Sequence, residues 1–219
     1  TAYEIRLSLV GSEMCIRDSL LIALAAQNRM LNVGTGPEAA KLATLRDTAV
    51  KLAVAVEKAT TPTPEVRRLA DILSRYPDID ADPAASTSPI RFLPIFNHDD
   101  VASDFGGCGG NKTQRLELHM VRLLKVKTPF TPEQVMQLEI VAYKLSLLTE
   151  LLPEMDDVLN YDRRHTPADH QVWIRLATEA HHNCWQLTET VRDGKVADMR
   201  AGLAKLDNTC QTCHDKYRK

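Results

Sequence analysis

Residues 195–219 read KVADMRAGLAKLDNTCQTCHDKYRK, and the stretch declares both a helix and a chemistry. Val196, Met199, Leu203, Leu206, Cys210, Cys213 and Tyr217 recur at alternating spacings of three and four. That is the packed face of a helix in an antiparallel bundle. Within it lies Cys210-Gln211-Thr212-Cys213-His214, a C-x-x-C-H sequence, which is the attachment signal of a c-type haem. The spacing has a physical reason. Positions i and i+3 share one helix face, so both thiols reach the vinyl groups along one edge of a porphyrin. His214, one residue beyond Cys213, is thereby tethered beside the same ring as the proximal iron ligand.

With Cys and His each at roughly 1–2% of residues, a chance match in a chain of this length has a probability on the order of 0.001. Two other readings compete. A structural zinc site needs a second ligand pair, and neither Cys15, Cys108 nor Cys184 has a C-x₂₋₄-C partner. A redox dithiol sits between a strand and a helix, whereas this motif closes a helical region. One covalent haem is the expectation.

The 219-residue chain is 44% hydrophobic, enough for one or two domains with a real core. A net charge of −2 gives no bulk attraction to nucleic acid or an anionic membrane. Aromatic residues are only 5%, and Ala and Leu abound, a composition that favours helices over sheets. There is no run of 18 apolar residues of the kind that spans a membrane. The chain does not begin with Met, and residues 2–19, AYEIRLSLVGSEMCIRDS, resemble a translated sequencing-adapter fragment. Residues 1–19 are therefore read as an artefact and set aside from fold reasoning, Cys15 with them. Residues 20–36 follow as a signal-peptide remnant or linker. Their apolar run Leu20–Ala26 reads equally as a secretory core or as a turn of ordinary helix.

Helix starts are legible along the rest. A residue suited to capping, then Pro at the first helical position, occurs at Gly36-Pro37, Thr63-Pro64, Thr131-Pro132 and Thr166-Pro167. Thr131 with Gln134 forms a capping box, and Thr166 has Asp169 at the same offset. Asp193-Gly194 reads as a helix stop. Helical apolar stripes then cover 37–59, 64–76, 132–152, 167–192 and 195–217. A second stripe from Met136 to Leu151 makes the 132–152 helix apolar on most sides, so deep burial is expected. Residues 112–127 fit either a strand or a helix, and the helical context favours the helix. The resulting plan is a helical hairpin over 37–80, a long loop over 81–111, and a haem-binding helical bundle over 112–219 that can recruit 37–59.

The C-terminal half resembles the cytochrome c′ family. The haem motif lies in the last helix and continues as Cys213-His214-Asp215-Lys216-Tyr217-Arg218, similar to the C-H-x-x-Y-R ending of that family. A preceding helix with Trp173 joins it through Asp193-Gly194-Lys195. The likeness is specific over 165–219, plausible from 131, and weak before that. Members of the family are shorter, so 37–127 is extra or divergent. The resemblance implies an all-α, antiparallel four-helix bundle with extra N-terminal helices. Cys210 and Cys213 become the thioether residues, His214 the proximal ligand, and Arg218 a residue at the haem edge or simply a solvated basic tail. It also implies that homodimers form through bundle helices.

Function turns on the sixth iron position. Family members either leave it vacant and bind small gases, or fill it with Met and carry electrons. Met120 and Met136 are the candidates named for it, with Met155, His119 and His170 behind them, and core filling is the ordinary role of Met. His181 and His182 read as solvent-facing, His98-Asp99-Asp100 as a polar turn, and Cys184 as a buried free thiol rather than a partner of Cys108. The first expectation is a periplasmic electron-transfer cytochrome, with redox proteins as partners. The second is a five-coordinate haem protein binding nitric oxide or carbon monoxide. A peroxidase-like enzyme would need distal acid–base groups, and no constellation for them stands out.

Overall fold

The structure, a computed structural model, describes residues 16–57, 63–93, 95–96, 101, 116–155 and 166–217. Among them there are seven α-helices and no strand: α1 (Ile16–Val33), α2 (Pro37–Glu57), α3 (Pro64–Ser74), α4 (Leu116–Leu124), α5 (Pro132–Thr149), α6 (Pro167–Arg192) and α7 (Val196–Tyr217). A single 3₁₀ turn, Leu152–Glu154, follows α5. The chain divides into two compact units, 1–100 and 101–219.

The prolines mark the starts as their chemistry requires. Thr63, Thr131 and Thr166 each adopt extended backbone and cap the third residue of the helix that follows. Thr131/Gln134 and Thr166/Asp169 are complete reciprocal boxes. Gly194, at φ 68°, lets the chain reverse between α6 and α7.

In the first unit, α2 packs against both α1 and α3. The run Leu20–Ala26 is buried along α1, and Leu42, Leu45, Ala49 and Leu52 are buried along α2. The segment after α3 is strapped to these helices. Gln27 accepts from the Ile90 amide and donates to the Ile90 carbonyl. Thr44 accepts from the Asp82 amide. Arg46, fully buried, donates to the carbonyls of Ser86 and Ser88 and to Asp47. A buried guanidinium is tolerable only because its donors are met. The start of the expected 81–111 loop is therefore tied down by side chains, while its glycine-rich tract, Cys108 and His98-Asp99-Asp100 lie outside the described residues.

The second unit holds α4 to α7. Arg192, at the end of α6, reaches Glu139 early in α5, and Trp173, at the start of α6, reaches Leu152 beyond the end of α5; the two run antiparallel. Tyr217, at the end of α7, meets Asp169 at the start of α6, so these are antiparallel too. Glu117 and His214 make the same statement for α4 and α7. Residues 116–124 are a helix, which resolves the strand-or-helix ambiguity for that part of 112–127, while 112–115 lie outside the described residues. The candidate segment 37–59 lies in the first unit, with α1 and α3.

One burial expectation needs correcting. α5 is deeply buried only at Leu138 and from Val141 to Thr149, Tyr143 and Lys144 excepted, and Met136 in its first turns is 38% exposed. The two stripes part there: Met136 of the second stands at the surface, while Leu138 of the first, two residues on, is buried. Within the core, buried hydroxyls turn back on their own helices. Ser146 donates to the Tyr143 carbonyl, Thr149 to that of Leu145, and Thr188 to that of Cys184. Gly202 brings α7 close to α6, where an added Cβ would meet Leu187 Cδ1 at 3.1 Å.

Arg46→Met should destabilise the first unit by about 3 kcal/mol, because the Ser86 and Ser88 carbonyls lose their donors. Denaturant unfolding of the full chain measures the loss, and limited proteolysis should show earlier cleavage between Asp82 and Ile90. An unchanged midpoint would mean that water satisfies the strap equally well.

Candidate functional site: the C-x-x-C-H face of the last helix

α7 is held firmly on both sides of its motif. Toward its start, Met199, Leu203 and Leu206 are buried in the seam with α6. Toward its end, Tyr217 stands edge-on to Trp173, ring centroids 5.3 Å apart at 89°, and donates its hydroxyl to the Asp169 carbonyl at 2.7 Å. Trp173 is itself fixed by donating to the Leu152 carbonyl at 2.9 Å. Lys216 pairs with the Asp169 carboxylate at 2.8 Å. Between these anchors the seam pattern continues through Cys210 and Cys213, but burial does not. Leu206 is 1% exposed, whereas Cys210, Cys213 and His214 are only half-buried. The sequence pattern puts the two cysteines in the bundle interior; they stand at its open edge.

Three elements meet at this face. α7 supplies Cys210, Cys213 and His214. α4 supplies Glu117, whose Oε1 lies 3.5 Å from His214 Nε2. α6 supplies Cys184, buried and close enough to Cys210 for charge on Cys210 to disfavour its ionisation. All three thiols are free. Burial, and then the Glu117 carboxylate, pushes the Cys210 thiol up to about 12. Burial pushes Cys213 up to about 11. Cys184 is pushed higher still by burial and by Cys210, with a hydrogen bond to Thr149 opposing. These are neutral, weakly nucleophilic thiols at pH 7. A redox dithiol requires the reverse, a thiol lowered toward 7 or below.

Glu117 was not legible in the sequence. Its segment was ambiguous, and a lone Glu on a short helix carries no motif. The other candidates are scattered. Met120 is buried on α4, one turn beyond Glu117, and Met155 is buried after the 3₁₀ turn. His119 and His170 are half-buried. Met136 is at the surface of α5. His182 is exposed, but His181 is half-buried with Nδ1 2.9 Å from the Ser146 carbonyl, a correction to the solvent-facing expectation. Its position beside the core stripe brings it under α5. Arg218 lies outside the described residues.

The face suits a covalent macrocycle. Two thiols at i and i+3 are neutral, unoxidised and half-covered. The His214 imidazole has one contact among the described residues, 3.5 Å to Glu117, longer than a well-formed hydrogen bond. Among the described residues no group of three or more His, Cys, Asp or Glu side chains gathers to hold a bare metal ion. A porphyrin does not need one, because it brings four of the iron's ligands itself.

Asp169 ties this end of the unit together. Its carboxyl is held well below the ordinary carboxylate range, first by Lys216 and then by the Thr166 amide and hydroxyl. A lowered folded value means stability present above pH 4 and lost as pH falls toward and through that value. Asp169→Asn should therefore flatten the acid limb of the thermal midpoint between pH 5 and pH 2, while leaving a lower midpoint at pH 7. An acid limb of unchanged slope would show that other carboxylates govern it.

No family model, curated protein or solved structure significantly matches this chain.

Proposed function

We propose that this chain is a c-type cytochrome of cytochrome c′ type, carrying one covalently attached haem and transferring electrons in the periplasm. The observation that carries this reading is the half-covered face of α7, where Cys210, Cys213 and His214 continue the core seam between two fixed ends. Cys210 and Cys213 hold the group as thioethers, and His214 takes the proximal position. The group supplies one-electron chemistry at iron between ferric and ferrous. The protein supplies the rest. The α6–α7 seam and the Trp173–Tyr217 contact fix the direction of the His214 imidazole. Packing of α4 and α6 around the motif limits water and so influences the potential. The antiparallel four-helix arrangement of α4 to α7 is the architecture such a site uses.

Placement in the periplasm follows from the chemistry, since bacteria attach haem covalently outside the cytoplasm. No helix among the described residues is long and apolar enough to cross a membrane. Electron transfer implies redox proteins as partners, and a homodimer through bundle helices fits the proposed family. A second reading has an observation of its own. A carboxylate oxygen, Glu117 Oε1, stands 3.5 Å from His214 Nε2. Oxygen ligands yield readily on ferrous iron, and such a centre would take nitric oxide or carbon monoxide.

Chain matured in a periplasm with the haem-attachment machinery should carry one haem per chain that survives denaturation and gel electrophoresis. Cys210→Ala combined with Cys213→Ala should abolish that stain completely, and each single substitution should reduce it severely. Haem still bound to the denatured double variant would sink the assignment.

A further inference from the structure

We infer that Glu117 supplies the iron's sixth ligand in the ferric protein, from the helix that faces His214. This rests on the haem reading above and goes beyond it by naming a residue that no c-type motif contains.

The geometry favours Glu117 over the methionines. Its Oε1 lies 3.5 Å from His214 Nε2, the ring nitrogen placed toward α4. A first-row metal between an imidazole nitrogen and a carboxylate oxygen needs roughly 2.1 Å to each, about 4.2 Å across. The nitrogen and oxygen are already paired across the two helices, and the ring itself requires α4 and α7 to part around that pair. The same carboxylate also faces the Cys210 thiol, where its charge opposes ionisation. Glu117 is thus aligned with both the proximal nitrogen and one attachment thiol. Its side chain is 32% exposed and that of His214 34%, so neither is locked in the core. Met120 is on the same helix one turn on, but it is 2% exposed, in the role of a core filler. Met136 is at the surface of α5.

Charge gives the functional consequence. An anionic oxygen ligand stabilises ferric iron over ferrous, lowers the potential and keeps ferric iron high-spin. On reduction the Glu117 carboxylate would be the weaker ligand, so that the reduced protein would accept carbon monoxide. An oxidised form closed by the protein's own carboxylate and a reduced form open to gas would couple the two functional readings in one site.

The test compares haem-loaded wild type, Glu117→Gln, and Met120→Leu by optical and electron paramagnetic resonance spectra and by midpoint potential. Carbon monoxide titration of the dithionite-reduced proteins completes it. The expected result is a high-spin ferric wild type whose charge-transfer band shifts in Glu117→Gln, with a raised potential. Met120→Leu should match wild type, and all three reduced proteins should bind carbon monoxide. The haem-free forms of wild type and Glu117→Gln should melt together, since a half-exposed contact of this length contributes little. Identical ferric spectra and potentials for wild type and Glu117→Gln would overturn the inference while leaving the haem assignment intact. A low-spin wild type converted to high-spin by Met120→Leu would do the same. Folded wild type that accepts no covalent haem would overturn the functional reading and this inference with it.

Discussion

The close packing of α7 on α6 is the constraint from which the rest of the second unit follows. Leu203 and Leu206 are buried against α6, and Gly202 admits the Leu187 side chain where a Cβ would crowd it. Each buried Leu contributes roughly 1.5–3 kcal/mol. A polar bond crosses the same seam, from Asn183 Nδ2 to Thr209 Oγ1 at 3.0 Å. Those residues immediately precede Cys184 and Cys210, so one buried hydrogen bond sets the register in which the two cysteines approach. A helix fixed so firmly cannot rotate its motif away, and the thiols must stay on the face that the seam assigns them.

Firm anchoring also explains why the motif can be left partly uncovered. An open helix end frays unless something holds it. Here the end is held by the aromatic pair Trp173–Tyr217 and by the Asp169 contacts with Lys216 and the Tyr217 hydroxyl. The stretch between the anchors stays helical without a full set of core neighbours. That is the condition for attaching a large planar group after folding or during it: the spacing of Cys210, Cys213 and His214 exists before the group arrives. The raised thiol values serve the same end, because a neutral thiol resists premature oxidation to a disulfide across the C-x-x-C pair.

Most of the architecture was legible because the punctuation is strong. Thr-Pro at three helix starts and Asp193-Gly194 at one end located α3, α5, α6 and the α6–α7 turn closely. What failed to show depends on partners distant in sequence. Nothing near Arg46 announces that its guanidinium will serve carbonyls some 40 residues later. The apolar stripe of α5 says that a face is hydrophobic, not that Met136 will stand exposed while Leu138 is buried. The half-burial of Cys210 and Cys213 was equally invisible, since a perfect 3–4 spacing describes a helix face and not the depth of what lies on it. The C-x-x-C-H motif is local in sequence and could be read directly. Glu117 is a tertiary fact, available only once α4 stands across from α7.

That division bears on how such a site is tuned. In the proposed reading the proximal side is written into five consecutive residues, Cys210 to His214, whose spacing is fixed as soon as α7 folds. The opposite side is set by which turn of α4 faces His214, and α4 is a helix of only nine residues. A nine-residue helix has little intrinsic stability and takes its position from packing through Leu116, Met120 and Leu123 and from its connection to α5. Arg200 fixes that connection. Its guanidinium donates to the Val126 and Thr128 carbonyls and lies 4.9 Å over the Phe130 ring. The residue that orients α4 thus belongs to α7 itself, fourteen positions before His214. One helix carries the C-x-x-C-H motif at its far end and the clamp for the opposing helix near its start. The two sides of the site are therefore registered to each other through α7, and a shift of α4 would have to break the Arg200 contacts first.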